Sequence, residues 1–371
     1  MTPDNPIRIL IVDDTIIYRK IVSDVLSDLP GVEVVGSAHN GKAAIAKIAS
    51  LNPDLLTLDI EMPEMNGLEV LEYIKDKEFE VGAVMLSTLT HEGGEMTMRA
   101  LELGAFDFIP KPQNGTMAEN TESIKRTIIP ILKAFRRRNE IKHLLKGKID
   151  PVAGNKEKPR LSLSSLVVQR MTTIAGRLTK KSEIVGVGVS TGGPKALAQM
   201  MPLLPADIGV PVLIVQHMPP MFTASLAKSL DAKCALTVRE ARDGEAITSN
   251  VVFIAPGGKQ MKIDQAGVGK TRIIRITDDP PENNCKPSVD YLFESIAHYY
   301  VGRATGVIMT GMGSDGFRGL ELMKKSGSTI IAQNGETCVV YGMPKKPINA
   351  GIVDIVAPLE MIAGEICRTV K

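Results

Sequence analysis

The chain has 371 residues, with 44 Lys+Arg against 42 Asp+Glu and a formal net charge of +2. That length exceeds what one hydrophobic core organises, so two domains are expected, and the near balance of charge gives no footing for a nucleic-acid or membrane-surface protein. Four cysteines, Cys234, Cys285, Cys338 and Cys367, stand far apart with no C-x-x-C pair, which suits reduced thiols better than a disulfide framework or a zinc site. The N-terminus lacks the layout of a secretion signal and no apolar run approaches the ~20 residues of a membrane span. The expectation is a soluble, cytoplasmic protein with no membrane insertion.

In chain order, the first stretch alternates short β-branched runs with helical periodicity. "RILIVDD", "VEVVGSA", "DLLTLDI", "VGAVMLS" and "DFIPKP" are candidate strands, separated by amphipathic segments, and together they predict a five-stranded, doubly wound α/β unit. Within it, "GKAAIAKIASL" follows an asparagine and "EMTMRALELG" ends on a glycine suited to a helix C-cap.

Functional groups of open α/β sheets gather at the carboxyl ends of the strands. Asp13 and Asp14 end the first strand here, Asp59 the third, Ser87 and Thr88 the fourth, and Lys111 the fifth. Three carboxylates converging on one edge call for a cation, and hard oxygen ligands favour Mg2+. Asp59 is then both a metal ligand and a nucleophile toward a phosphoryl group, with Lys111 stabilising the developing charge and the Ser87 hydroxyl meeting the phosphate. Lys111 precedes Pro112, a candidate cis bond that would aim the lysine inward.

The motifs "ILIVDDT", "LLTLDIEMPEMNGLEV", "VMLST" and "GAFDFIPKP" together resemble the receiver domain of two-component response regulators, over residues 6–130. The resemblance implies a flavodoxin-like fold in which Asp59 accepts phosphate from a histidine kinase, Asp13 and Asp14 hold Mg2+ with it, and Ser87 and Lys111 sense the phosphate.

Residues 131–182 are basic, interrupted by proline and glycine, and low in aromatics, and are expected to be a linker. Its cationic run Arg136 to Arg138 suits the solvated end of the preceding helix. From residue 183 the alternation resumes, with "IVGVGV", "VPVLIVQH", "VVFIAP", "TRIIRIT", "ATGVIMT" and "STIIAQN" as strands of a second α/β domain over 183–371.

The stretch "GVGVSTGG" contains G-x-G spacing, a weak dinucleotide signal, but the next strand ends in His217 rather than the acidic residue such a site requires. It also contains G-x-S-x-G around Ser190, the pattern of a strand-to-helix elbow that lifts a serine hydroxyl above a sheet edge. A serine needs a base, and the base an orienting acceptor. Of the five histidines His217 alone sits at a strand's carboxyl end in the same domain, and "VIMTGMGSDG" sets Asp315 at a third strand end. Ser190, His217 and Asp315 therefore form a candidate triad, in a chain order that differs from the Ser, Asp, His order of α/β-hydrolases.

"GVSTGGPKAL", "VQHMP", "ARDGE", "FIAPGG", "PSVDYLF", "MTGMGSDG" and "CVVYGMP" resemble the catalytic domain of the chemotaxis protein-glutamate methylesterases, whose sheet is mostly parallel. The resemblance implies Ser190 as nucleophile, His217 as base and Asp315 as orienter, with the Met312 N–H as an oxyanion donor and Thr191 in support. It also implies methylated chemoreceptors as substrate, methanol as product, glutamine deamidation at the same positions, no cofactor for the ester chemistry, and a receiver that covers the cleft until it is phosphorylated. Lys286 stands where the family pattern has an arginine, which loses a planar fork of donors. The alternative weighed is a receiver fused to a nucleotide-binding or DNA-binding output module, which the missing acidic residue and the lack of a basic recognition helix disfavour.

Overall fold

A computed structural model describes residues 6–112, 115–146, 181–267 and 271–371. The N-terminal unit runs β1 (Ile7–Val12), α1 (Ile16–Ser27), β2 (Val32–Ala38), α2 (Gly41–Leu51), β3 (Leu55–Asp59), α3 (Gly67–Asp76), β4 (Gly82–Ser87), α4 (His91–Leu103), β5 (Asp107–Pro110) and α5 (Met117–Lys146). Side-chain caps set several helix starts. Asn40 accepts from Ala43 N at 2.8 Å, Thr90 accepts from Gly93 N, and Asn66 with Glu69 forms a reciprocal capping box. The strands pair in parallel in the order β2-β1-β3-β4-β5, so the order reverses beside β1 and opens a crevice at the carboxyl ends of β1 and β3.

Three expectations change here. Residues 131–146, expected as the start of a linker, continue α5 instead. Their apolar face is the reason: Ile131, Leu132, Ala134 and Phe135 are buried, and the Phe135 ring meets Phe106 edge-on at 5.3 Å. Nor is the cationic run simply solvated, because Arg136 donates to the Gly31 carbonyl and Arg138 lies over the Phe106 ring. The rest of the expected linker, 147–180, lies outside the described residues. The Lys111–Pro112 bond is not cis; among the described residues the cis bond is Lys286–Pro287. Lys111 is brought inward by its carboxylate partners.

The second unit supplies β6 (Ile184–Val189), β7 (Val212–Gln216), β8 (Thr237–Glu240), β9 (Val251–Ile254), β10 (Gln260–Gln265), β11 (Arg272–Thr277), β12 (Ala304–Ile308), β13 (Thr329–Gln333) and β14 (Ile355–Ala357). Seven of these form one parallel sheet, β14-β13-β12-β6-β7-β9-β8. The run "TRIIRIT" is β11, which leaves the main sheet and pairs antiparallel with β10 as a hairpin. β6 is buried along its whole length between β12 and β7. Its glycines serve packing: a Cβ at Gly186 would lie 2.6 Å from Ile296 Cδ1, and one at Gly188 2.4 Å from Val289 Cγ1, so the helix Val289–Tyr299 can lie close on the strand. That close approach, rather than a pyrophosphate cradle, accounts for the G-x-G spacing.

Candidate functional site

The esterase candidates sit where the strand order reverses around β6. Ser190 follows β6, and Gly192 two residues later takes a left-handed φ of 77°, turning the chain into the helix Gly193–Met200. The turn is tied down on both sides. Ser190 N donates to Thr310 O at 3.0 Å, while Ser190 O accepts from Gly193 N at 2.7 Å and from Gln216 Nε2 at 3.0 Å. His217 follows β7, and its backbone N–H reaches Val189 O at 3.2 Å. The loop after β12, from Thr310 to Asp315, is braced by Gly342 N and Met343 N, which donate to Gly311 O.

Asp315 is almost wholly buried and holds the imidazole, with Oδ2 2.8 Å from His217 Nε2. Its remaining capacity is filled from the N-terminus of the helix Val289–Tyr299: Val289 N at 2.7 Å, Asp290 N at 3.2 Å and Ser288 Oγ at 2.8 Å donate to it, as does Asn283 Nδ2 at 3.0 Å. Burial would raise this carboxyl, but the hydrogen bond and charge of His217, then the Val289 N–H and Asn283, hold it down at about 2. It stays anionic and fixes a proton on Nε2, so the free lone pair of His217 is on Nδ1. Burial would lower His217, yet its bonds to Asp315 and to Cys285 raise it to about 9.

The structure brings His217 and Asp315 together directly. Ser190 lies beside them without a bond from its hydroxyl to His217 among the described residues; the recorded neighbour of Nδ1 is Cys285 Sγ, at 3.8 Å. Looser contacts between serine and base are usual before substrate arrives. Met312 N–H and Thr191 N–H have no acceptor among the described residues. Sequence reasoning missed Asn283, Ser288 and Cys285 as neighbours of the triad; "PSVDYLF" carried the only signal, since a serine before a helix with its N–H groups exposed is an anion seat.

In the N-terminal unit Asp13, Asp59 and Lys111 are buried together, Lys111 Nζ lying 2.8 Å from Asp13 Oδ2 and 2.7 Å from Asp59 Oδ2. Burial pushes Asp59 up to about 6, against the pull of Lys111. Burial would lower Lys111, but the charges of Asp59 and Asp13 raise it. Asp14 is exposed at the rim, and carboxylate oxygens of Asp13, Asp14 and Asp59 all lie within 4.8 Å of one another. Asp13 Oδ2 is buried with no hydrogen bond of regular geometry. Lys111 is the one cation paired with Asp13 Oδ2 among the described residues, and an all-oxygen carboxylate set of this kind fits a hard divalent cation. Ser87 Oγ is bonded to Thr97 Oγ1 of α4 at 2.6 Å.

The two units meet beside the triad. The Phe108 ring of β5 packs 4.5 Å from Phe222, Lys228 reaches Glu95 of α4 at 2.6 Å, and Glu102 of α4 takes bonds from Ser229 and Lys233. Asp107 of β5 is pushed up to about 6 by burial, with Phe108 N–H and the Thr191 side chain pulling it back. A crevice of about 370 Å³ separates α5 from the second unit, bounded by Lys133 and Arg137 on one side and Met312 and Lys345 on the other.

Residues 185–366 match the CheB methylesterase family and residues 9–121 the response regulator receiver domain. A protein of Desulfotalea psychrophila called protein-glutamate methylesterase/protein-glutamine glutaminase is 56% identical over 98% of this chain and 99% of its own length. The chain belongs to the CheB methylesterase family. A family member of Bacillus subtilis with the same designation is 40% identical over 98% of this chain and 99% of its own. The solved catalytic domain of the Thermotoga maritima CheB methylesterase is 40% identical, covers 50% of this chain and 98% of its own, and superposes with a TM-score of 0.49. The hydrolase class and the pairing of receiver with esterase follow from this membership.

Proposed function

We propose that the protein hydrolyses γ-methyl esters of glutamate on chemoreceptors, releasing methanol, and that its receiver governs access to the esterase. The single observation that carries the reading is the His217 imidazole locked on buried Asp315 beside the Ser190 elbow. Ser190 Oγ attacks the ester carbonyl as its proton passes to His217 Nδ1, and Asp315 stabilises the imidazolium through Nε2–H. The N–H groups of Thr191 and Met312 receive the oxyanion. Collapse of the tetrahedral intermediate breaks the C–O bond, and the imidazolium protonates the departing methoxide. Water then cleaves the acyl-serine by the reverse sequence, restoring a glutamate carboxylate. A glutamine amide follows the same route and releases ammonia.

In the receiver, Asp13, Asp14 and Asp59 would hold Mg2+, which neutralises phosphoryl charge when bound. Asp59 accepts the phosphoryl group from a histidine kinase and Lys111 pairs with it. Ser87 gains a phosphate oxygen as partner, in competition with Thr97 of α4, the helix that carries Glu95 and Glu102 to the domain interface. Phosphorylation thereby favours the parted arrangement of the two units over the packed one. The deciding experiment incubates the protein with methylated receptors, with and without acetyl phosphate, measures methanol, and treats the enzyme with a serine-directed phosphonate. Methanol release that acetyl phosphate increases, with label on Ser190, is the expected result; a receiver attached to a nucleotide- or DNA-binding module gives neither.

A further inference from the structure

His217 and Cys285 stand 68 residues apart in sequence, so no metal-binding spacing joins them, yet the fold sets Cys285 Sγ 3.8 Å from His217 Nδ1. A tetrahedral zinc ion with bonds of about 2.3 Å to sulfur and about 2.0–2.1 Å to nitrogen separates those two ligands by about 3.6 Å. The other ring nitrogen already donates to Asp315 at 2.8 Å, the carboxylate–imidazole arrangement that orients metal-binding histidines and raises their basicity. Asp315 is itself saturated by Asn283, Ser288 and two backbone N–H groups, so the ring cannot turn without breaking a buried network. Both candidate ligands are partly exposed, leaving water to complete the coordination.

We propose that His217 and Cys285 form a binding site for a borderline-soft divalent cation, zinc being the best match, and that occupancy switches the esterase off. This rests on His217 being the catalytic base: the metal takes the Nδ1 lone pair that must receive the proton of Ser190. The thiol yields its proton to solvent on binding, so the site is in competition with protons. The remaining thiols offer no equal site. Burial raises Cys234 to about 11 and Cys338 to about 12, and raises Cys367 as well, and none belongs to a cluster of three or more metal-ligating side chains among the described residues. The receiver's carboxylates are hard ligands suited to Mg2+ and not competitors for zinc at low concentration.

The test uses the full chain in excess Mg2+. Cobalt is added first, and a thiolate-to-cobalt charge-transfer band that zinc abolishes is expected at one equivalent. Zinc should suppress esterase turnover and a chelator restore it. Cys285→Ala should lose the band and need at least about ten-fold more zinc for half-suppression relative to its own starting rate. Cys285→His, which supplies an imidazole instead, should lose the band but keep the suppression. An unchanged band in Cys285→Ala, equal zinc sensitivity of the two proteins, or a wild type indifferent to zinc would overturn the proposal. The cobalt band reports the metal site whether or not Ser190 is the nucleophile, and phosphonate labelling of metal-free protein reports the nucleophile alone, so failure of one reading is distinguishable from failure of the other.

Discussion

The Ser229 hydroxyl of the esterase unit donates to the Glu102 carboxylate of the receiver's α4 at 2.8 Å, and Lys233 binds the same carboxylate. With Lys228 on Glu95, the esterase helix Phe222–Asp231 and the turn after it add a polar rim on α4 to the apolar packing of Phe108 on Phe222. Exposed pairs of this kind are screened by water and each adds little to the docking. Glu102→Lys should therefore loosen the docking and raise the unphosphorylated esterase rate by a few-fold, and adding Lys233→Glu should bring the rate back down. Methanol release without phosphodonor measures both; a Glu102→Lys rate equal to wild type would remove α4 from the control of access.

Ser190→Ala and His217→Ala should each reduce turnover by roughly 10⁴ or more, since nucleophile and base act as a unit. Asp315→Asn should also be slow, with a larger residual rate and a stability cost, because five donors lose a charged acceptor that is itself buried. Near-wild-type turnover in either of the first two variants, with native circular dichroism, would break the triad.

The raised His217 sets a pH profile. Only the neutral ring can act as base, and with a value of about 9 about one molecule in a hundred is competent at pH 7. Turnover per unit substrate concentration should climb with pH and level off above about 9. Cys285 is one cause of the elevation, so in Cys285→Ala the rising limb should move to lower pH. A limb that stays put in this variant means the thiol exerts no field on the ring. The profile is measured on metal-free protein.

Most of the sheet framework was legible because buried parallel strands read as continuous β-branched runs, and the strand-end carboxylates, Lys111, Ser190, His217 and Asp315 announced themselves by following those runs. Other features were hidden for physical reasons. "TVRE" of β8 buries only Val238 fully, too little for a periodic signal. The extension of α5 past residue 130 was masked by Arg136, Arg137 and Arg138, whose charge conceals the buried Phe135 beside them. The meeting of Cys285 with His217 depends on how the loop before the helix Val289–Tyr299 folds over β7, which no local spacing encodes.

The last prediction concerns the receiver as a cover. The crevice between α5 and Met312 is bounded by Lys133, Arg137 and Lys345, so like charges face one another across the boundary while Phe108 and Phe222 hold it shut from the β5 side. Such an interface is stable only modestly, as a switch must be: moving it from mostly closed to mostly open requires roughly 3 to 5 kcal/mol of differential interaction. Asp59→Asn keeps the cover but cannot be phosphorylated, so acetyl phosphate should leave its methanol release at the unphosphorylated level. A chain beginning at Lys181 should exceed that level without any phosphodonor, and the phosphorylated whole protein should approach or pass the rate of the truncated one. Equal methanol release by the whole protein, its phosphorylated form and the truncated chain would mean that the packing of Phe108 on Phe222 tethers the esterase without controlling it.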